Sequence, residues 1–146
     1  MKFSINKVLT AFSNTKAEGA HIDNYTEDII NSIDEAAFAV SQQNVMYAAT
    51  QELGGYYYLK TIIVGTFKIK TMKGALLKFE AKDFNLDLKT DMDEFETDHS
   101  NISNRFITRI DFQIEKEDIP KLKDQNIQNI KLIAKKTKLD FGLIKS

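Results

Sequence analysis

Cysteine is absent from this chain of 146 residues, which excludes disulfides, thiolate metal sites and cysteine nucleophiles together. Long apolar runs are absent too. A membrane-spanning helix needs roughly 18–20 apolar residues and a secretory signal about 7–15, whereas the best candidate near the N-terminus is only the stretch 8–12. We therefore expect a cytoplasmic protein with no membrane span.

An excess of charge of one sign is also lacking. The chain has 20 Lys and Arg and 21 Asp and Glu, which gives a formal net charge of −1. This balance provides no global attraction to nucleic acid or to an anionic membrane, so we expect no nucleic-acid partner. Hydrophobic residues make up 42% and charged residues 28% of the chain, as in ordinary globular proteins. The length suits one domain with its own core, and we predict a single domain over 1–146.

The first third of the chain has helical periodicity. Apolar residues at positions 5, 8, 9 and 12 fall on one face of a short helix. Asn24 and Glu27 form a plausible capping box, after which an apolar stripe continues from Ile29 to Leu53. Gly54-Gly55 then supplies a helix stop. This pattern predicts a helical part over 1–54, with one short and one long helix.

After Gly55 the period changes from 3.6 to 2, which predicts strands. We expect four of them, over 56–70, 75–89, 105–115 and 130–143, as an antiparallel meander over 56–146. In the second and fourth, the apolar residues change from one face to the other near 82–83 and near 135–136, which a β-bulge would explain. The expected fold class is therefore α+β, with the helices packed on a curved, bulged sheet.

Few residues suggest chemistry. The acidic loop, residues 91–98, carries carboxylates that suit Ca²⁺ or Mg²⁺, but it lacks the glycine and terminal glutamate of an EF-hand. Asp98, His99 and Ser100 are the residue types of a hydrolase triad, yet neighbours in an extended chain point to opposite faces. His21 is the only other histidine. We predict no catalytic residue, no metal site, no cofactor and no enzymatic activity.

The first predicted strand is apolar on both faces. Tyr56, Tyr58, Ile62 and Val64 share the face opposite the one expected to face the core. Three consecutive tyrosines would also suit stacking on bases or sugars, but aromatic residues are common in strands because they pack well there. A strand that is apolar on both faces needs cover on both, from the first helix or from another molecule. We therefore predict these four residues as an interaction surface.

Three functions remain open on this basis. The leading one is a non-catalytic protein-interaction or self-assembly module that docks through its sheet, with a protein partner or a second copy of the chain. The alternative is a carrier of a small apolar ligand held between the curved sheet and a helix. The third is an enzyme whose chemistry would rest on carboxylates or tyrosines.

Overall fold

The computed structural model describes residues 37–99, 105–123 and 126–144, and these residues form antiparallel strands and a 3₁₀ helix, Lys116–Lys123. The strands are β1 (Ala37–Val40), β2 (Asn44–Leu53), β3 (Tyr56–Gly65), β4 (Lys70–Thr71), β5 (Leu76–Ala81), β6 (Asn85–Lys89), β7 (Phe95–Glu96), β8 (Asp98–His99), β9 (Phe106–Ile114), β10 (Ile127–Ala134) and β11 (Thr137–Leu143). The predicted α+β class is wrong, because the described chain is predominantly β.

Eight strands form a sheet that nearly closes on itself, in the order β6-β5-β10-β11-β1-β2-β3-β9, and β8 extends it beyond β9. Every neighbouring pair is antiparallel. β4 and β7 form a separate two-stranded ribbon. The predicted four-stranded meander is therefore wrong in strand number and order, since β10 and β11 insert between β5 and β1.

The two ends of the sheet meet where β6 approaches β9. Thr90, just after β6, forms a β-bridge with Phe112, and the backbone N–H of Asp91 donates to the carbonyl oxygen of Asp111 at 2.8 Å. A nearly closed antiparallel sheet leaves little unpaired edge for other chains to extend. Along β6, which is the first strand in this order, Asn85, Asp87 and Lys89 are exposed and alternate with buried residues.

The interior of the sheet is filled by large apolar side chains. Phe79, Phe112 and Phe141 are among the largest fully buried residues, and Met46 and Leu59 lie beside them in the same core cluster. An eight-stranded barrel has an interior just wide enough for its own side chains to fill. The core therefore lies inside the curved sheet, and not between a sheet and a layer of helices.

The predicted long helix is wrong over residues 37–53, which form β1 and β2 instead. Gly54 and Gly55 do not stop a helix. They form the turn of the β2–β3 hairpin, with φ of 61° and 85°, and two consecutive positive φ values are what a type I′ hairpin turn requires. The predicted short helix, and the part of the long helix before residue 37, lie outside the described residues.

β2 resembled a helix because both of its faces are apolar near its start. Met46 points into the core, whereas Val45 and Tyr47 point outward and are also buried. Burial on both faces removes the polar-apolar alternation by which a strand is usually identified. Tyr47 and Ala48 therefore fit the apparent helical stripe that the sequence predicts up to Leu53.

The two predicted bulges are hairpin turns. Lys82-Asp83 connects β5 to β6, with Leu77 opposite Leu88 and Phe79 opposite Leu86. A two-residue turn pairs odd-numbered positions of one strand with even-numbered positions of the next, so the inward positions change parity across it. The turn at residues 135–136 joins β10 to β11 in the same way. The change of face was real, but a reversal of the chain causes it.

β3 ends at Gly65 because the β1–β2 turn crosses it closely. A Cβ atom on Gly65 would lie 2.0 Å from the carbonyl oxygen of Gln43. Asn44 is buried beside it, and its side-chain oxygen Oδ1 accepts a hydrogen bond from the backbone N–H of Phe67 at 2.9 Å. These contacts turn the chain away from the sheet toward β4, five residues earlier than the predicted end at residue 70.

One strand matches its prediction. β9 places Thr108, Ile110, Phe112 and Ile114 inward and buried, with an exposed residue between each of them and the next. Within the described part of the chain, no helix is long and apolar enough to cross a membrane.

Candidate functional site

The four residues of the predicted interaction surface lie on one face of β3, and this face is the outside of the curved sheet. Tyr57, Leu59 and Ile63, the residues between them in sequence, belong to the interior core or pack against it. Exposure falls along the strand, from 70% at Tyr56 through intermediate values at Tyr58 and Ile62 to 6% at Val64. Lys60, which is exposed, lies between Tyr58 and Ile62 on this face, so the four residues form two pairs, and the pair near the β2–β3 turn is the open half of the face.

The flanking strands extend this outer face on both sides of β3. Register places Tyr58 between Gln51 of β2 and Gln113 of β9. Lys60 lies between Ala49 and Asp111, Ile62 between Tyr47 and Arg109, and Val64 between Val45 and Ile107. Polar and charged rows thus occupy the centre of the face, with an apolar row at its buried end.

The β2–β3 hairpin presents two large apolar side chains at the open end. Leu53 and Tyr56 pair directly across the turn and are 65% and 70% exposed. Paired side chains at adjacent strand positions lie about 4.5–5.5 Å apart at Cβ, so they form one contiguous apolar element. Leu53 was not predicted as part of the surface because it had been assigned to the end of a helix.

A cleft of about 450 Å³ lies beside the centre of the face, and the sequence did not reveal it. Its floor is the sheet around Ile62, and its wall is the acidic loop. The residues that line it include Lys60, Ile62, Arg109, Asp111, Met92 and Phe95. The one sequence signal for it is the pair of apolar residues, Met92 and Phe95, within the otherwise acidic loop, which favours contact between the loop and the body of the protein.

The acidic loop is anchored through its second half. Phe95 packs against the interior core, and β7 pairs with β4. Thr97 accepts a hydrogen bond from the backbone N–H of Ile69 at 2.8 Å, and its hydroxyl lies 2.7 Å from that of Thr108. Met92, by contrast, is exposed. The anchoring holds the loop against β9 and so forms the wall of the cleft.

Two carboxylates of the loop, those of Asp91 and Asp98, each contact a different side chain of β9. Asp98 forms an ion pair with Arg109, at 3.1 Å from Oδ2 to Nη1, and Asp91 Oδ1 accepts a hydrogen bond from Gln113 Nε2 at 3.1 Å. Among the described residues, no three carboxylate or imidazole groups converge as a metal site would require. Ser100 and His21 lie outside the described residues, so the structure places no triad.

Comparison of the chain with protein-family models, with curated proteins and with solved structures found no significant match. No relative therefore supplies a function or a set of site residues. The arguments below rest on the geometry and chemistry of the outer face.

Proposed function

We propose that this protein is a non-catalytic self-assembly module, and that the open half of the outer face of β3 docks against the same face of a second copy. The observation that supports this proposal most is the exposed pair Leu53 and Tyr56 at the β2–β3 turn. Large aromatic and aliphatic side chains at the centre of an interface supply most of its binding energy.

Charge complementarity favours a second copy as the partner. Lys60 and Asp111 lie side by side in one row of the face, with Arg109 adjacent. In a two-fold interface, if residue i of one copy contacts residue j of the other, then residue j of the first copy contacts residue i of the second. Lys60 of each copy can therefore face Asp111 of the other. The formal net charge of −1 gives little long-range repulsion between copies. We also propose that the protein assembles in the cytoplasm, as expected from its sequence.

Two exposed apolar positions provide a matched test. Tyr56→Asp introduces a carboxylate at the centre of the proposed contact, and Met72→Asp introduces one at a residue of similar exposure, 64%, in the turn after β4. Sedimentation velocity over a range of concentrations should show that Tyr56→Asp abolishes self-association and that Met72→Asp leaves it unchanged. Circular dichroism should show both variants folded.

Retention of self-association by Tyr56→Asp would contradict the proposal. Equal loss in both variants would also contradict it, because the effect would then be one of general surface charge. Leu53→Asp is a second position in the same contact and should behave as Tyr56→Asp does.

The cleft favours a second candidate function, the binding of a small apolar ligand. Ile62, Met92 and Phe95 give it an apolar part, and its volume lies within the usual range for ligand sites. The sequence placed such a ligand between sheet and helix, whereas this cleft lies between the sheet and the acidic loop. Native mass spectrometry of freshly purified protein should show an added mass, reduced in Ile62→Glu but not in Met72→Glu. Absence of any added mass would count against this candidate.

A further inference from the structure

The outer face around β3 consists of rows of side chains, because each outward residue of β3 lies beside an outward residue of β9. Along β3 the outward residues are Tyr56, Tyr58, Lys60 and Ile62, and their neighbours on the β9 side, in the same order, are Glu115, Gln113, Asp111 and Arg109. Glu115 follows Ile114, which pairs with Tyr57, so continuation of the register sets it beside Tyr56. All four residues on the β9 side are exposed, so these rows are open to a second molecule.

A two-fold axis that crosses the strands at Leu59 brings unlike rows together. Two copies packed face to face about this axis put the first row of each over the fourth row of the other, and the second over the third. Tyr56 then lies over Ile62 of the second copy, and the Glu115 carboxylate over its Arg109 guanidinium. The phenol ring of Tyr58 likewise meets the ammonium group of Lys60, which suits a cation–π contact.

Charge excludes the two neighbouring positions of such an axis. An axis at Lys60 would stack Lys60 on Lys60 and Asp111 on Asp111. An axis at Tyr58 would stack Glu115 on Asp111. Like charges that face each other across an interface are costly, so the complementary register is the one centred on Leu59.

The cleft beside Ile62 can receive the hairpin tip, which consists of Leu53 and Tyr56. The cleft has a volume of about 450 Å³, and Met92 and Phe95 of the acidic loop line it together with Ile62. Tyr56 is 70% exposed, so its ring is free to enter an apolar site on another molecule. An aromatic anchor in such a pocket is a common centre of binding energy in interfaces.

We propose that two copies pack in this register, so that the hairpin tip of each occupies the cleft of the other and Glu115 of each pairs with Arg109 of the other. Arg109 also pairs with Asp98, but its side chain is 60% exposed and a guanidinium has five N–H donors. Lys60 lies diagonally opposite Asp111 of the second copy, within reach of its long side chain. The inference rests on the proposed self-association and adds to it the register, the cleft and the contribution of β9.

Charge reversal tests the register directly. Glu115→Arg and Arg109→Glu each replace two attractive contacts of the dimer by two repulsive ones, and each should raise the dissociation constant about tenfold at low salt. An equimolar mixture of the two variants should associate as tightly as the natural protein, because both contacts of the mixed dimer are again between opposite charges. Asp83→Arg and Lys82→Glu make the same charge changes in the exposed β5–β6 turn and should have no effect, alone or mixed. Sedimentation velocity measures all of these.

The outcomes separate this inference from the self-association on which it rests. If mixing Glu115→Arg with Arg109→Glu does not restore association, or if neither variant weakens it, the register is wrong. Loss of association in Tyr56→Asp would in that case still support docking through the open half of β3. A natural protein that remains monomeric at every concentration would overturn both.

Cross-linking provides a second measurement that does not depend on charge, because the natural chain contains no cysteine. Positions 109 and 115 are six residues apart in extended chain, about 20 Å, so a short bis-maleimide cannot join them within one molecule. A mixture of Glu115→Cys and Arg109→Cys should give a covalent dimer that contains one chain of each, and either variant alone should give almost none. Efficient cross-linking of Glu115→Cys to itself, or no mixed product, would overturn the inference.

Discussion

Two regions of the outer face of the sheet share the same alternation of inward and outward residues but differ in their outward side chains. On β6, β5, β10 and β11 the outward residues form a charged face, with Asp87, Lys78, Lys131 and Asp140 in register across four strands. Ion pairs join Lys78 to Asp87 at 3.9 Å and Lys131 to Glu80 at 3.2 Å. At the paired ends of β1, β2 and β3, by contrast, the outward residues Val40, Val45, Tyr47 and Val64 are apolar and buried, and we call them the outer patch.

The difference shows that alternation within a strand does not decide what covers it. The charged face can be exposed to solvent, because its side chains are hydrated and some of them form ion pairs. The outer patch would expose a contiguous apolar surface without cover, which monomeric proteins generally avoid. The four predictions below test this contrast, from the largest expected effect to the smallest.

The first prediction compares the same substitution on both sides. Val45→Glu places a carboxylate in a fully buried position and should lower the free energy of unfolding by about 3–5 kcal/mol, because an unpaired buried charge is strongly destabilising. Ile133→Glu lies directly opposite Lys138 on the charged face and should cost less than about 1 kcal/mol. Urea denaturation followed by circular dichroism measures both. Similar losses in the two variants would refute the contrast.

The second prediction compares the two ends of β3. Gly65→Ala should lower stability by about 2–3 kcal/mol, because its Cβ would collide with backbone atoms of Gln43 and Asn44. Gly55→Ala has no atom within 4 Å of its Cβ and should cost only about 1 kcal/mol, for its positive φ of 85°. The same denaturation measurement applies. A smaller loss for Gly65→Ala than for Gly55→Ala would argue against the close crossing at residue 43.

The third prediction concerns the strength of the charged face. A double-mutant cycle on Lys131 and Glu80 should give a coupling energy of about 0.2–1 kcal/mol, since their side chains are 40% and 45% exposed and solvent screens the pair. The coupling should shrink further in 1 M salt. A coupling well above this range, or one insensitive to salt, would mean that the face is less hydrated than we infer.

The fourth prediction is the smallest and concerns the turn between β10 and β11. Lys135 has φ of 54°, a left-handed conformation that is unfavourable for residues with a Cβ. Lys135→Gly should raise stability by about 0.5 kcal/mol, because the relief of strain exceeds the extra entropy of unfolded glycine. Lys136→Gly, at a position without a positive φ, should lower stability slightly. A loss of stability in Lys135→Gly, or a gain of stability in Lys136→Gly, would refute this account of the turn.

Prediction from the sequence succeeded for β9, which has a solvated face, and failed for β1 and for the first half of β2, which are buried on both faces. β9 was recognised because exposed residues such as Arg109 and Asp111 separate its buried ones. β1 and β2 were not, since Val45, Met46 and Tyr47 are all buried and resemble a segment of buried helix. Burial of the second face of a strand depends on tertiary packing, so it cannot be predicted from the local periodicity of the sequence.

Turns were harder to predict than strands for a related reason. Gly54-Gly55 suits a helix end and a hairpin equally well, and the outcome depends on whether the preceding segment is a helix or a strand. The changes of face at 82–83 and 135–136 are also consistent with either a bulge or a two-residue turn. Recognising the turns would have given β5–β6 and β10–β11 as hairpins, and with them the higher strand number.

The predicted surface residues share one face, but the sequence did not show how that face divides. Alternation alone put Tyr56, Tyr58, Ile62 and Val64 together, as register confirms. Leu53 and the cleft depend on the β2–β3 pairing and on the position of the acidic loop, which are long-range features. Docking through this face, the absence of catalysis and the single domain over 1–146 stay predictions.

The most direct test of self-assembly through the open half of β3 is the mass of the unmodified protein in solution. The chain has a mass of 16.7 kDa. Sedimentation equilibrium at increasing concentration should show the weight-average mass rising to twice that value and levelling there, as a closed two-fold interface requires. A mass that stays at 16.7 kDa throughout the concentration range would contradict the account.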